Sequence, residues 1–117
     1  MEFDIYQLVL LRRPDSAPPL DLEVREELQR QHIAHLERMH AAGSLLVAGP
    51  FGDQEDEMLR GLCLYRVESV DQARELAEQD PSVRAGRLAL DVMSFYCPKG
   101  SLAFPLLDQA GPTAREP

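Results

Sequence analysis

The sequence predicts a single α+β domain with the element order β-α-β-β-α-β. Three observations predict it: helical spacing of apolar residues between residues 22 and 42, short apolar stretches of strand-like character on both sides, and a second helix that begins with a capping signature. A chain of 117 residues is long enough for one core but not for two. This order is the ferredoxin-like arrangement, an antiparallel four-stranded sheet with two helices on one face.

Capping and turn residues set the limits of these elements. The predicted bounds are 3–11, 44–48, 61–67 and 88–97 for the strands, and 22–42 and 70–79 for the helices. Asp21 is the predicted N-cap of the first helix, and Gly43 is the left-handed residue that ends it. Ser69 opens the second helix with a capping box. Pro81 ends it, because the residue before a proline is pushed out of the helical region.

Two segments fall outside the predicted sheet and helices. Residues 51–60 form an acidic loop, which we expect to be mobile. From Pro98 onward proline, glycine and polar residues dominate, so residues 1–97 form the predicted domain and residues 98–117 a C-terminal tail. Such a tail is ordered only where it docks on something.

The uncovered face of the predicted sheet would carry leucine, tyrosine, methionine and phenylalanine side chains. A large apolar face exposed to water is typical of an interaction surface. The simplest partner is a second copy of the chain, so we expect a homodimer or a higher homo-oligomer.

Charge and hydropathy exclude two classes of partner. The net charge is −8 and the pI is near 4.8, so the chain is not expected to bind a nucleic-acid backbone. No apolar run approaches the roughly 20 residues needed to span a bilayer. The N-terminus also lacks the basic region and long apolar stretch of a signal peptide. We therefore expect a cytoplasmic protein with no membrane partner.

Four short motifs at consistent spacings carry a resemblance to a known family. They are HIAHL (32–36), GSLLVAGPF (43–51), VESVDQAREL (67–76) and DPSVRAGRL (80–88). Together they make the chain similar to the YciI-like (YCII-related) family over roughly residues 3–97. The chain departs from the simplest members in its longer first loop, its acidic 52–57 loop and its tail, which leaves the substrate open.

The resemblance implies both an assembly and a pair of site residues. It implies that the ferredoxin-like fold pairs as a dimeric α/β barrel, and that His32 and Asp80 form an active-site pair. A dehydrochlorinase that acts on a chlorinated hydroxyhydroquinone is the informative relative. It suggests acid–base chemistry on a small ring compound.

The His32–Asp80 pair also makes physical sense without the family. His32 and His35 lie on the apolar stripe of the first helix, where a polar ring needs a partner or a task. If both helices pack on one sheet face, the middle of the first approaches the end of the second. A carboxylate on one imidazole nitrogen fixes the tautomer and makes the other nitrogen a better base. The alternative is that Asp80 only anchors a buried His32 or caps backbone amides.

The resemblance and these residues together imply a small enzyme that uses His32 and Asp80 for elimination, isomerisation or dehydrochlorination of a cyclic or aromatic metabolite. The competing hypothesis is a non-catalytic ligand-binding or accessory domain with the same pocket. Arg13 is assigned to substrate binding through bidentate hydrogen bonds, with a solvated arginine as the alternative.

Three further residues are assigned to substrate binding: His35, Gly49 and Pro50. His35 shares the apolar stripe, and its favoured alternative is packing in the core with one hydrogen bond. Gly49 and Pro50 set a turn at which a ligand can approach the backbone closely. His40 projects off the stripe near the helix end and is expected on the surface.

Cofactors and metals are not expected. A metal site built from His32, His35 and Asp80 is conceivable, but a His-x-x-His spacing is a weak signal without a third ligand close by. Cys63 and Cys97 are far apart and outside any CxxC pair, so neither a disulfide nor a zinc site is predicted, and Cys63 is expected in the core. The sequence lacks a phosphate-binding glycine loop, which argues against a nucleotide cofactor. It also lacks a G-x-S-x-G motif, so nucleophilic hydrolysis has no support.

Overall fold

The computed structural model describes residues 1–108 and confirms the predicted fold class. The strands are β1 (Phe3–Arg12), β2 (Leu45–Pro50), β3 (Leu59–Tyr65) and β4 (Ala89–Pro98), and the helices are α1 (Leu22–Ala41), α2 (Val70–Ala77), α3 (Pro81–Arg84) and α4 (Pro105–Asp108). The sheet order is β2-β3-β1-β4, and all neighbouring strands are antiparallel, as in the ferredoxin-like arrangement. Within residues 1–108 no helix is both long and apolar enough to cross a membrane.

The predicted capping residues are found at the helix ends. The Asp21 carboxylate accepts a hydrogen bond from the Val24 amide at 3.0 Å, and the Ser69 hydroxyl accepts one from the Gln72 amide at 3.1 Å. Gly43 has a φ of 83°, the left-handed conformation that lets the chain turn back after α1. Fixed ends determine which side chains of α1 face the sheet.

The helices α3 and α4 were not predicted, and several element bounds differ by one or two residues. Two of the differences involve residues assigned to the site from the sequence. The residues after Asp80 form the one-turn helix α3 instead of an irregular turn, because the Asp80 carboxylate accepts a hydrogen bond from the Ser82 amide and caps a new turn. β2 continues through Gly49 and Pro50 instead of ending before them. A proline is tolerated there because β2 is an edge strand, whose outer side has no strand to receive an N–H.

The expectation that His40 lies on the surface is wrong, because only 8% of its area is exposed. After Gly43 the chain returns into β2, which covers the last turn of α1. His40 consequently borders a small cavity with Leu46 of β2 and Leu106 of α4. The spacing within α1 does not contain this information, since the covering residues come from later in the chain.

The main core lies between the sheet and the helices. Its buried members are Val9, Leu11, Leu45, Cys63, Tyr65, Ala73, Ala77 and Leu88. Cys63 is a core residue, as predicted, and burial raises the pKa of its thiol to about 12. Cys63 and Cys97 are both free thiols.

The segment after β4 covers part of the opposite sheet face. Phe104 packs edge-on against Tyr6, with ring centroids 5.7 Å apart. Val47, Met93 and Phe95 remain 38–48% exposed, and the strand register places them on this same face. Residues 109–117 of the predicted tail lie outside the described residues, and the boundary at residue 97 stays a prediction.

Candidate functional site

A cavity of about 280 Å³ lies between the middle of α1 and one end of the sheet. Four residues assigned to the site from the sequence line it: Arg13, His32, Gly49 and Pro50. Its volume is just below the range of roughly 300–1,000 Å³ typical of small-molecule sites. The space therefore suits a compact ligand.

His32 and Asp80 are in direct contact at this cavity. His32 Nδ1 lies 2.5 Å from the Asp80 carboxylate oxygen Oδ2, and the two side chains are 12% and 3% exposed. An ionised carboxylate only accepts hydrogen bonds, so Nδ1 carries the shared proton. In the neutral imidazole, Nε2 is then the nitrogen with a free lone pair, and the His32 side chain lines the cavity.

The Asp80 carboxylate is fixed by contacts on both of its oxygens. Oδ2 accepts from His32, and Oδ1 accepts from the Ser82 amide at 2.9 Å. The second contact starts α3, which packs against α1. The α1–α3 packing thereby sets the orientation of the imidazole, since a carboxylate with both oxygens held cannot rotate freely. Ser82 was not predicted, although an Asp-Pro-Ser sequence is typical of a capped turn.

His35 is not among the residues that line the cavity. It is 1% exposed, and its Nε2 has no hydrogen-bond partner among the described side chains and backbone groups. Burial lowers the pKa of His35, and the negative charge of Asp80 offsets part of this effect. The structure thus favours packing, the alternative to substrate binding. No group of three potential ligands that could hold a metal ion, His35 included, occurs within residues 1–108.

Three arginines line the same end of the cavity: Arg13, Arg60 and Arg87. Arg13 Nε donates a hydrogen bond to the Arg87 carbonyl oxygen at 3.1 Å. Burial lowers the pKa of Arg13, and the positive charges of Arg87 and Arg60 lower it further. Arg60 and Arg87 were not predicted from the sequence. The strand order places them here. β1 lies between β3 and β4, and its last residue, Arg12, pairs with the first residue of each, Leu59 and Ala89.

The loop between β2 and β3 is tied to this end of the cavity. The Arg13 amide donates to the Met58 carbonyl at 2.7 Å, and Gln54 Nε2 donates to the Leu59 carbonyl at 2.6 Å. These contacts hold the acidic segment beside the arginines. The mobility expected of residues 51–60 stays a prediction.

Gly61 is a further residue of the site that sequence reasoning missed. A Cβ added there would lie 2.6 Å from the Gly49 carbonyl oxygen and 3.2 Å from Pro50 Cα, both of them backbone atoms. A Cβ at Gly49 would meet no atom within 4 Å. The close approach of the β2 and β3 backbones therefore requires glycine at position 61, whereas position 49 has room for a Cβ. A glycine inside a strand pattern is the sequence feature that indicates such an approach.

Comparison with known proteins gives the family. The family model of the YCII-related domain matches residues 6–95. This chain belongs to the YCII-related family. An uncharacterized protein of Haemophilus influenzae is 34% identical over 74 residues, which cover 58% of this chain and 76% of the relative.

One of the solved structures similar to this YCII-related chain, with a TM-score above 0.5, shows a shared fold. It is 5-chloro-2-hydroxyhydroquinone dehydrochlorinase from Burkholderia phenoliruptrix in complex with 2,5-dihydroxybenzoquinone. It has a TM-score of 0.53 and 24% identity, and the match covers 75% of this chain and 90% of that one. An Arabidopsis thaliana protein matches with a TM-score of 0.41 and 15% identity, covering 86% of this chain and 99% of its own.

Proposed function

We propose that this chain is a small cytoplasmic enzyme that performs His/Asp-assisted acid–base chemistry on a small cyclic or aromatic metabolite. The observation that supports it is the direct contact between His32 Nδ1 and the buried Asp80 carboxylate at the wall of a ligand-sized cavity. A histidine with only a packing role would not need a side chain that borders open space.

The proposed reaction begins with proton abstraction by His32. Nε2 takes a proton from a ring carbon, and the electron pair left behind forms a double bond. In an elimination a leaving group such as chloride departs with its own electron pair. In an isomerisation the imidazolium returns the proton to another carbon. The Asp80 carboxylate stabilises the imidazolium between these steps without accepting the proton.

The structural neighbour indicates where a substrate search should start. That protein is a dehydrochlorinase, and its structure holds a hydroxylated quinone. Hydroxylated and chlorinated single rings and lactones are therefore the first compounds to screen by thermal shift, because a ligand that binds only the folded state raises the melting temperature.

The test of the proposed function is turnover of the compounds found in this screen by the wild type and by His32→Gln. We expect His32→Gln to keep binding and to lose turnover by about 100-fold or more, because general base catalysis contributes at least that much. Proton abstraction is followed directly by NMR as exchange of the substrate hydrogen with D₂O.

Gln31→Ala is the matched control, since Gln31 is the exposed neighbour of His32 on α1. It should retain both binding and turnover. Full turnover by His32→Gln would contradict the proposal. Binding without turnover by the wild type would instead indicate a ligand-binding or accessory domain.

The enzyme would act as a homodimer that pairs through the open sheet face, as a dimeric α/β barrel. Val47 on edge strand β2, and Met93 and Phe95 on edge strand β4, are exposed apolar side chains on that face, and burial of such side chains drives association. We expect sedimentation at micromolar concentration to give a dimer, and Phe95→Asp to give a monomer. Ile5→Asp is the control, because Ile5 is 51% exposed on the other face. A monomeric wild type would contradict the expectation.

A further inference from the structure

The antiparallel sheet brings three arginines from distant parts of the chain to one end of the cavity. Arg12, the last residue of β1, pairs with Leu59 at the start of β3 and with Ala89 at the start of β4. Arg13, Arg60 and Arg87 lie one or two residues from these positions, and all three line the cavity. The strand order brings the three arginines together. They are not close in sequence, since Arg13 and Arg87 are 74 positions apart.

The positive charge of this cluster has no acidic partner among the side chains of residues 1–106. No carboxylate of that part of the chain lies within ion-pair distance of the three guanidinium groups. Their hydrogen bonds go to carbonyl oxygens: Arg13 Nε to Arg87 at 3.1 Å, and Arg60 Nη1 to Glu57 at 3.1 Å. Carbonyl dipoles orient a guanidinium group but do not neutralise it.

Two other arginines of the described residues have acidic partners. Arg12, the neighbour of Arg13, lies 2.6 Å from the Asp91 carboxylate, and Arg30 lies 2.8 Å from Glu27. The chain has 20 acidic and 12 basic residues, so carboxylates are plentiful. Three like charges at one site repel one another, and the repulsion is larger where the groups are partly desolvated. A bound anion would relieve it.

The rest of the cavity restricts what such an anion can be. Ile33, Leu36 and Leu88 contribute apolar surface, and His32 borders the same space. A guanidinium group matches a planar carboxylate through two parallel hydrogen bonds. The cavity volume of about 280 Å³ suits a single ring.

We propose that Arg13, Arg60 and Arg87 form an anion-binding subsite, which holds the carboxylate of a small ring acid while the ring lies against the apolar wall beside His32. The placement of the reacting carbon at His32 rests on the function proposed above. The capture of the carboxylate does not, because binding requires no turnover. The subsite narrows the substrate class from small ring compounds to ring carboxylic acids.

The test is calorimetric binding of 2,5-dihydroxybenzoate and of 2,5-dihydroxybenzamide, which differ in charge but hardly in shape. We expect the acid to bind at least about tenfold more tightly than the amide, because hydrogen bonds to charged groups are worth more than neutral ones. Inorganic phosphate, which lacks the ring, should bind more weakly than the acid.

Single substitutions assign the effect to the cluster. Arg87→Gln and Arg60→Gln should each weaken binding of the acid by about tenfold and leave binding of the amide unchanged. Arg12→Gln is the control, because it removes an adjacent guanidinium group whose partner is Asp91 and which does not line the cavity. It should leave the preference for the acid intact.

Two sets of results would overturn the subsite. One is equal affinity for the acid and the amide, or no binding of either. The other is an effect of Arg12→Gln as large as that of Arg87→Gln. His32→Gln separates this inference from the proposed function, since it should bind the acid like the wild type. If His32→Gln lost turnover but the wild type bound the acid no more tightly than the amide, the proposed function would stand and the subsite would be overturned.

Discussion

Replacing Asp80 with asparagine is expected to leave the fold nearly intact and to reduce turnover by about 100- to 10,000-fold. The asparagine oxygen must stay on the Ser82 amide, which needs an acceptor. The NH₂ group then faces His32 Nδ1, which becomes the acceptor, and the ring proton moves to Nε2. A protonated Nε2 cannot remove a proton from a substrate.

The tautomer of His32 gives a readout that requires no substrate. Nitrogen NMR of the imidazole should show the proton on Nδ1 in the wild type and on Nε2 in Asp80→Asn. Asp21→Asn is the matched control, because Asp21 also caps a helix but lies on the surface, and asparagine caps as well as aspartate. An unchanged His32 tautomer in Asp80→Asn would contradict the proposed role of Asp80.

Replacing Asp80 with alanine adds a loss of stability to the loss of activity. Two buried donors, His32 Nδ1–H and the Ser82 amide, would lose their acceptor. An unsatisfied buried group costs about 1–3 kcal/mol and a lost helix cap about 1 kcal/mol, so we expect about 3 kcal/mol in urea unfolding. Asp21→Ala should lose about 1 kcal/mol, because its donor is exposed to water.

Gly61→Ala is expected to destabilise the protein by about 2–3 kcal/mol, although it adds a single methyl group. The new Cβ would lie 2.6 Å from the Gly49 carbonyl oxygen, and a backbone atom cannot move aside without disturbing the pairing of β2 with β3. β2 also forms a wall of the cavity through Gly49 and Pro50, so ligand binding should weaken together with stability.

Gly52→Ala is the control for this prediction. A Cβ at Gly52 would meet no atom within 4 Å, and Gly52 does not line the cavity. Urea unfolding should show a change within about 0.5 kcal/mol for Gly52→Ala. Equal stability of Gly61→Ala and Gly52→Ala would show that β2 adjusts without strain.

Local rules were sufficient for the order of the four strands and the two longer helices and for the caps of those helices. Asp21, Gly43 and Ser69 act on residues within one turn, so their roles are visible in a short stretch of sequence. The burial of His40 was missed because β2 packs against α1, and periodicity within α1 carries no information about later elements.

The site shows the same division between local and non-local information. The contact of His32 with Asp80 agrees with the pair implied by the family resemblance, and both residues lie in recognisable motifs. Arg60 and Arg87 join the cavity only through the register of β1 with its two neighbours. The need for glycine at position 61 likewise comes from Gly49, on another strand.

The attachment of Asp80 to both α1 and α3 has a consequence for how such a site can diverge. Altering Asp80 disturbs chemistry and folding together, so the dyad has little freedom to change. Arg60, in contrast, is exposed, and among the described residues its side chain donates only to the Glu57 carbonyl oxygen. Substitutions at the proposed anion subsite should therefore carry little energetic penalty, whereas substitutions in the proposed His32–Asp80 pair should not.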